Sequence, residues 1–157
     1  EAADKYAASK GKDIIYNIEL KTNAAYDGSK QPPVAETVDL VMEVVKERKL
    51  EKRCYLQSFD FRPLRLLHEK YPHITTAVLI SGSDKRTLDQ QLAELGYTPE
   101  MYSPHYSLVT AELVAACHQK GMKIIPWTVN TVEEIKKLKQ LGVDGIITDY
   151  ANYFSEL

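Results

Sequence analysis

Short apolar runs alternate with segments of helical periodicity along almost the whole chain, and this rhythm restricts the fold more than any other property of the sequence. The runs are 14–20 (IIYNIEL), 53–58 (RCYLQS), 75–81 (TTAVLIS), 123–129 (KIIPWTV) and 144–148 (DGIIT). Between the first two, Val34, Val38, Val41 and Val45 recur at helical spacing, with Pro33 ahead of them and the cationic stretch Lys46–Lys49 behind. Asp60 is placed to cap a helix that has Pro63 in its first turn and buries Leu64 and Leu67. Leu88, Leu92 and Leu95 stripe a third helix, and Leu113, Val114 and Cys117 a fourth, opened by Thr110. Thr131 and Glu134 have the spacing of a capping box ahead of Ile135, Leu138 and Leu141. The last three helices stop at Gly96, Gly121 and Gly142, residues that take a left-handed exit at no steric cost.

Strand, helix, glycine, strand is the signature of repeated βα units and a parallel sheet, an α/β fold. Only 97–107 (YTPEMYSPHYS) interrupts it, and we expect a loop there with a short extra strand near 101–103. Segment 24–33, with Gly28 and two prolines, reads as an extended loop. Parallel βα units close as a doubly wound sheet or as a (β/α)8 TIM-type barrel. No glycine-rich or Walker-type phosphate loop follows any run, which removes the commonest reason for the doubly wound form. Polar residues gather just after the runs (Glu19 and Lys21, Ser58, Ser81, Asn130, Asp149), where a barrel carries its chemistry. Five units fill only part of an eight-unit barrel, so residues 1–157 read as one domain forming its second part.

Within the first run, alternation puts Tyr16, Ile18 and Leu20 on one face and Asn17, Glu19 and Lys21 on the other. Charges at a strand end are paired or bind something. On spacing alone, Glu19 and Lys21 suit either a salt bridge that caps the strand or a site holding a cation beside an anionic oxygen. Trp127 by itself reads more readily as core than as pocket.

Composition excludes several partners. The net charge of −2 comes without a basic block, so nothing asks for nucleic acid. No apolar run approaches the ~20 residues that cross a bilayer. Glu1 opens the chain without an initiator Met, a start expected to be processed or cut, and localisation stays open. Cys54 and Cys117 have no metal-type spacing and read as buried free thiols.

Four motifs now stand in order: Y-N-I-E-L-K at 16–21, Q-S-F-D at 57–60, P-W-T-V-N at 126–130 and G-V-D-G-I-I-T-D-Y at 142–150. Singly each is weak. Together, in this order, they resemble the C-terminal portion of the glycerophosphodiester phosphodiesterases, over essentially the whole chain. The resemblance implies a (β/α)8 barrel, about five of its βα units being present here. It also implies hydrolysis of small-molecule glycerophosphodiesters to glycerol 3-phosphate and an alcohol, with a divalent cation, Ca²⁺ or Mg²⁺. By the same resemblance, Glu19 matches the metal-ligand glutamate and Lys21 the lysine that contacts phosphate. Phe59 and Trp127 match aromatics of the glycerol pocket, and Thr148 and Asp149 the closing strand in a structural role.

The departure is that the family's His-Arg-Gly strand, its Glu-x-Asp metal pair and its second catalytic histidine precede the glutamate–lysine strand. None occurs in residues 1–157, so no catalytic residue is assigned in this chain. His68 and His118 are expected exposed on helices and His73 in a loop. His105 falls in the irregular stretch, its approach to the pocket rim being the less favoured reading. Ser58 and Ser81 have no triad partners, and Asn130 is read as helping the chain turn into the Thr131 cap. Turnover would therefore need the preceding strands of the barrel, and the open sheet edges invite either those strands or self-association. The rival reading is a non-catalytic module that keeps the pocket and binds a phosphate ligand.

Overall fold

A computed structural model describes residues 2–156. Its centre is a parallel sheet of five strands: β1 (Tyr16–Glu19), β2 (Cys54–Ser58), β3 (Thr75–Ile80), β4 (Met101–Pro104) and β5 (Lys123–Ile124). Their spatial order is their order in the chain. A doubly wound sheet reverses direction at a switch point. A barrel wall adds each strand beside the last, as here.

After an N-terminal helix, α1 (Ala2–Ser9), each crossover carries one helix: α2 (Val34–Glu47), α3 (Phe61–Lys70), α4 (Leu88–Leu95) and α5 (Ala111–Gln119). The last α-helix, α6 (Val132–Leu141), follows β5, with a 3-10 helix at Ala151–Glu156 after it. The expected caps form. Asp60 accepts from the Arg62 N–H, Thr110 from Leu113 and Thr131 from Glu134. Gly96 and Gly142 leave their helices at φ 89° and 87°, so a side chain there would be strained. The sequence did not announce α1. It is short and alanine-rich, and its Asp4 accepts from Arg53 at 2.6 Å and from the Tyr16 hydroxyl at 2.6 Å.

The core lies between the helices and one face of the sheet. Leu56, Leu64, Leu67, Leu95, Ile124 and Ile135 are removed from water entirely, each contributing about 1.5–3 kcal/mol of burial. Tyr102 and Gln91 enter the same layer, but the tyrosine hydroxyl donates to the Gln91 side chain at 2.6 Å, so neither polar group is stranded there. Cys54 and Cys117 are free and buried, and burial pushes the Cys117 thiol up to about 12.

The extra strand expected near 101–103 forms as Met101–Pro104, a full member of the sheet between β3 and β5, so 97–107 does not break the repeat. Two other expected strands differ. The run 123–129 forms regular ladder only at 123–124. On the β4 side Lys123, Ile125 and Trp127 all donate, and the bond that is missing is the one Pro104, with no N–H, would give to the Ile125 carbonyl. The Pro126 nitrogen faces the 144–148 segment, where it likewise leaves a gap. The run remains tied to β4 by Trp127 N–H to Pro104 carbonyl at 3.1 Å and by a bridge pairing His105 with Trp127. The run 144–148 lies against this segment without becoming a strand. Asp144 donates to Ile124 at 3.0 Å, Ile147 to Pro126 at 2.9 Å, and Val129 back to Ile147 at 2.9 Å.

Candidate functional site

In a parallel ladder, register partners point to the same face, so the pairing shows which side chains share the side away from the helices. Glu19 pairs with Gln57, Gln57 with Ala77, and Ala77 with Met101. Two residues further along each chain lie Lys21, Phe59, Leu79 and Ser103, and beyond them His105 and Trp127. These are the C-terminal ends of the strands, the chemical end of a barrel.

At that end Glu19, Lys21, Gln57, Phe59, Leu79 and Trp127 line one cleft of about 250 Å³. All four residues singled out from sequence therefore meet, brought from three strand ends. The Lys21 ammonium lies 2.9 Å from a Glu19 carboxylate oxygen. Phe59 stands edge-on to Trp127, ring centroids 5.2 Å apart, and does not pack under a helix. Trp127 is half-buried, its indole N–H donating to the Ser103 carbonyl at 2.9 Å. This bond holds the ring at the cleft wall. Larger clefts elsewhere differ in kind. One, of about 340 Å³, is mostly apolar and lies between α6 and Phe154. Another, of about 760 Å³, opens by Tyr16 and Arg53 at the N-terminal strand ends, the side that serves stability in barrels.

A polar brace fixes the rim. Thr22 donates to Asp60 at 2.8 Å, and Arg62 bonds both Asp60 and Asp27. Gln31 closes the loop by donating to Asp27 at 2.7 Å. Burial pushes the Asp60 carboxyl up, but the bonds from Arg62 and Thr22 outweigh it and leave the group below its ordinary value. The segment carrying Lys21 is thus tied to the start of α3.

His105 stands edge-on to Trp127, ring centroids 5.2 Å apart, without itself lining the cleft. Its Nδ1 lies 2.7 Å from the Ser107 hydroxyl oxygen, and the Ser107 backbone N–H points to the same nitrogen from 3.3 Å. His68 stacks on Tyr97, His73 contacts Glu51 and His118 contacts Asp144, all away from the cleft. Ser58 is buried, donating to the Leu20 carbonyl, and Ser81 bonds Ser83. Asn130 neither enters the cleft nor caps α6. Its amide clamps Asp149, donating to the carboxylate at 2.7 Å and accepting the backbone N–H at 3.1 Å, and it also accepts from Thr148.

Sequence reasoning missed Gln57. It is buried at 8% exposure, lines the cleft, and its Oε1 has no hydrogen-bond partner among the described residues. The signal was available, since alternation from Phe59 puts Gln57 on the same face as that ring. Among the described residues no three His, Cys, Asp or Glu side chains converge as a metal cluster.

A sequence model of the Glycerophosphoryl diester phosphodiesterase family matches residues 2–152. The chain belongs to that family. It is 30% identical over 138 residues to a glycerophosphodiester phosphodiesterase of Caldanaerobacter subterraneus subsp. tengcongensis, covering 88% of this chain and 53% of that protein. A solved structure from Silicibacter pomeroyi superposes with a TM-score of 0.80 at 30% identity, covering 99% of this chain and 53% of its own. An Oleispira antarctica phosphodiesterase, solved in complex with the product sn-glycerol-3-phosphate, superposes at 0.74 with 21% identity, covering 98% of this chain and 58% of its own. The chain spans about half the length of the curated relatives it matches, 53% for two of them. Its sheet is accordingly part of a TIM-type barrel.

Proposed function

We propose that residues 1–157 form one domain, the C-terminal part of a barrel that hydrolyses glycerophosphodiesters to glycerol 3-phosphate and an alcohol. The observation that carries this reading is the meeting of Glu19, Lys21, Phe59 and Trp127 in one cleft at the strand ends. Glu19 is the ligand for a divalent cation, Ca²⁺ or Mg²⁺. Its carboxylate offers the hard oxygen such ions take, and a pairing with Lys21 occupies only one of its oxygens. When bound, the ion supplies charge that offsets the non-bridging phosphate oxygens.

The chain's own residues bind and orient. Lys21, with its ammonium largely in solvent, places a mobile point charge where the phosphate enters. Phe59 and Trp127 give the glycerol carbons two rings set at 86°, a corner that excludes water from one side of the diester. Activating a nucleophile and protonating the leaving alkoxide require an acid and a base, most readily a histidine pair. Among the described residues no histidine lines the cleft, so the pair belongs to preceding strands of the barrel, and residues 1–157 alone turn nothing over.

Replacing Glu19 tests this. The purified protein is titrated calorimetrically with Ca²⁺ and Mg²⁺ before and after Glu19→Gln. The expected result is a loss of affinity of about tenfold or more. Unchanged affinity would remove Glu19 from the ligand set, and diesterase turnover by residues 1–157 alone would refute the assignment of acid and base to other strands.

A further inference from the structure

We propose that the side-chain oxygen of Gln57 is a second protein donor to the divalent cation at Glu19, and that it biases the site toward Ca²⁺ over Mg²⁺. This rests on Glu19 being a cation ligand.

Glu19 and Gln57 are register partners on adjacent parallel strands, whose axes lie about 4.8 Å apart, and both side chains line the cleft. Gln57 is nine-tenths buried, and its Oε1 accepts nothing from the described residues. A buried acceptor left unmet is costly, and most such groups in folded proteins are satisfied. An amide oxygen accepts only. It needs a hydrogen-bond donor or a cation, and the Lys21 ammonium contacts Glu19 at 2.9 Å while its side chain stays 80% exposed.

Position within the cleft separates the two kinds of occupant. The aromatic rings, which pack carbon, stand nearer the strand ends. The row one step deeper holds Glu19, Gln57 and Ala77. A carboxylate and an amide oxygen on neighbouring strands suit an ion better than the carbons of glycerol. The donor type argues for the ion's identity. Ca²⁺ takes Asn and Gln carbonyls readily in flexible sets, whereas Mg²⁺ keeps its waters and is held through carboxylates.

The test uses Gln57→Leu, which removes the oxygen at similar volume, and Gln57→Glu, which restores a stronger one. Calorimetric titration with Ca²⁺ and Mg²⁺ is paired with thermal melts in chelator and in excess Ca²⁺. Gln57→Leu is expected to weaken Ca²⁺ about tenfold and Mg²⁺ less, and to melt higher in chelator because the stranded amide is gone. Its melting shift on adding Ca²⁺ shrinks. Gln57→Glu is expected to tighten both ions, and it keeps the proposal testable if the leucine variant does not fold. If Glu19→Gln loses Ca²⁺ while Gln57→Leu keeps wild-type affinity, this proposal falls and the reading of Glu19 stands. If neither substitution matters, or the unsubstituted protein takes up no Ca²⁺, both fall.

Discussion

Phe59 and Trp127 meet edge to face, centroids 5.2 Å apart and planes at 86°, although one lies just beyond the second strand and the other just beyond the fifth. Such pairs contribute about 0.5–1.5 kcal/mol beyond the area they bury. Phe59 is 46% exposed, so its ring is open to a molecule entering the cleft.

Phe59→Ala is therefore expected to cost little stability, about 1 kcal/mol, while weakening binding of glycerol 3-phosphate several-fold. Denaturant melts and calorimetry with that compound check it. A large stability loss with unchanged binding would make the ring a structural element only.

The chain has one tryptophan, so its fluorescence reports on this cleft without labelling. A Cβ built on Gly82 would lie 3.1 Å from His105 Cγ and 3.2 Å from its Nδ1. Gly82→Ala must push that ring against Trp127 or away from Ser107. We expect a changed emission spectrum, altered acrylamide quenching and a destabilisation of about 1 kcal/mol. An unaltered spectrum would mean that the His105–Trp127 contact is not maintained in solution.

Acid should weaken the fold through specific carboxylates. Arg86 holds the Asp84 carboxyl down at about 2, and Asp60 and Asp144 also sit below the ordinary 3.8. Groups depressed in the folded state take up protons more readily when the chain is unfolded. The stability they contribute is present above about pH 4 and drains as pH falls through the folded values toward about 2. Urea melts at pH 5 and pH 3 should show the loss, and Asp84→Asn should be weaker at pH 5 and lose less between the two. Equal pH dependence in both proteins would exclude Asp84 as a contributor.

Much of the architecture was legible because it rests on local chemistry. The caps at Asp60, Thr110 and Thr131 and the left-handed exits at Gly96 and Gly142 depend on residues within a few positions of one another. The faces of β1 follow from strict alternation, so Glu19 and Lys21 could be put together on the cleft side from sequence alone. Pro104 and Pro126 were equally visible in the chain, but their effect was not. Whether a missing N–H breaks a ladder depends on which neighbour the strand has.

What only the tertiary structure decided concerns contacts across strands. A short strand near 101–103 was expected from the sequence, but that Met101–Pro104 is a full member of the sheet follows only from its register with β3 and β5. Asn130 was read as part of a turn, yet its amide reaches Asp149, a partner that exists only once the last segment lies beside β5. The same holds for His105 against Trp127 and for Gln57 beside Glu19. Alternation tells which face a side chain takes; only the register of neighbouring strands tells what it finds there. The physical reason is that hydrogen-bond geometry along one strand is local, while the pairing of strands depends on how the helices pack the sheet from behind.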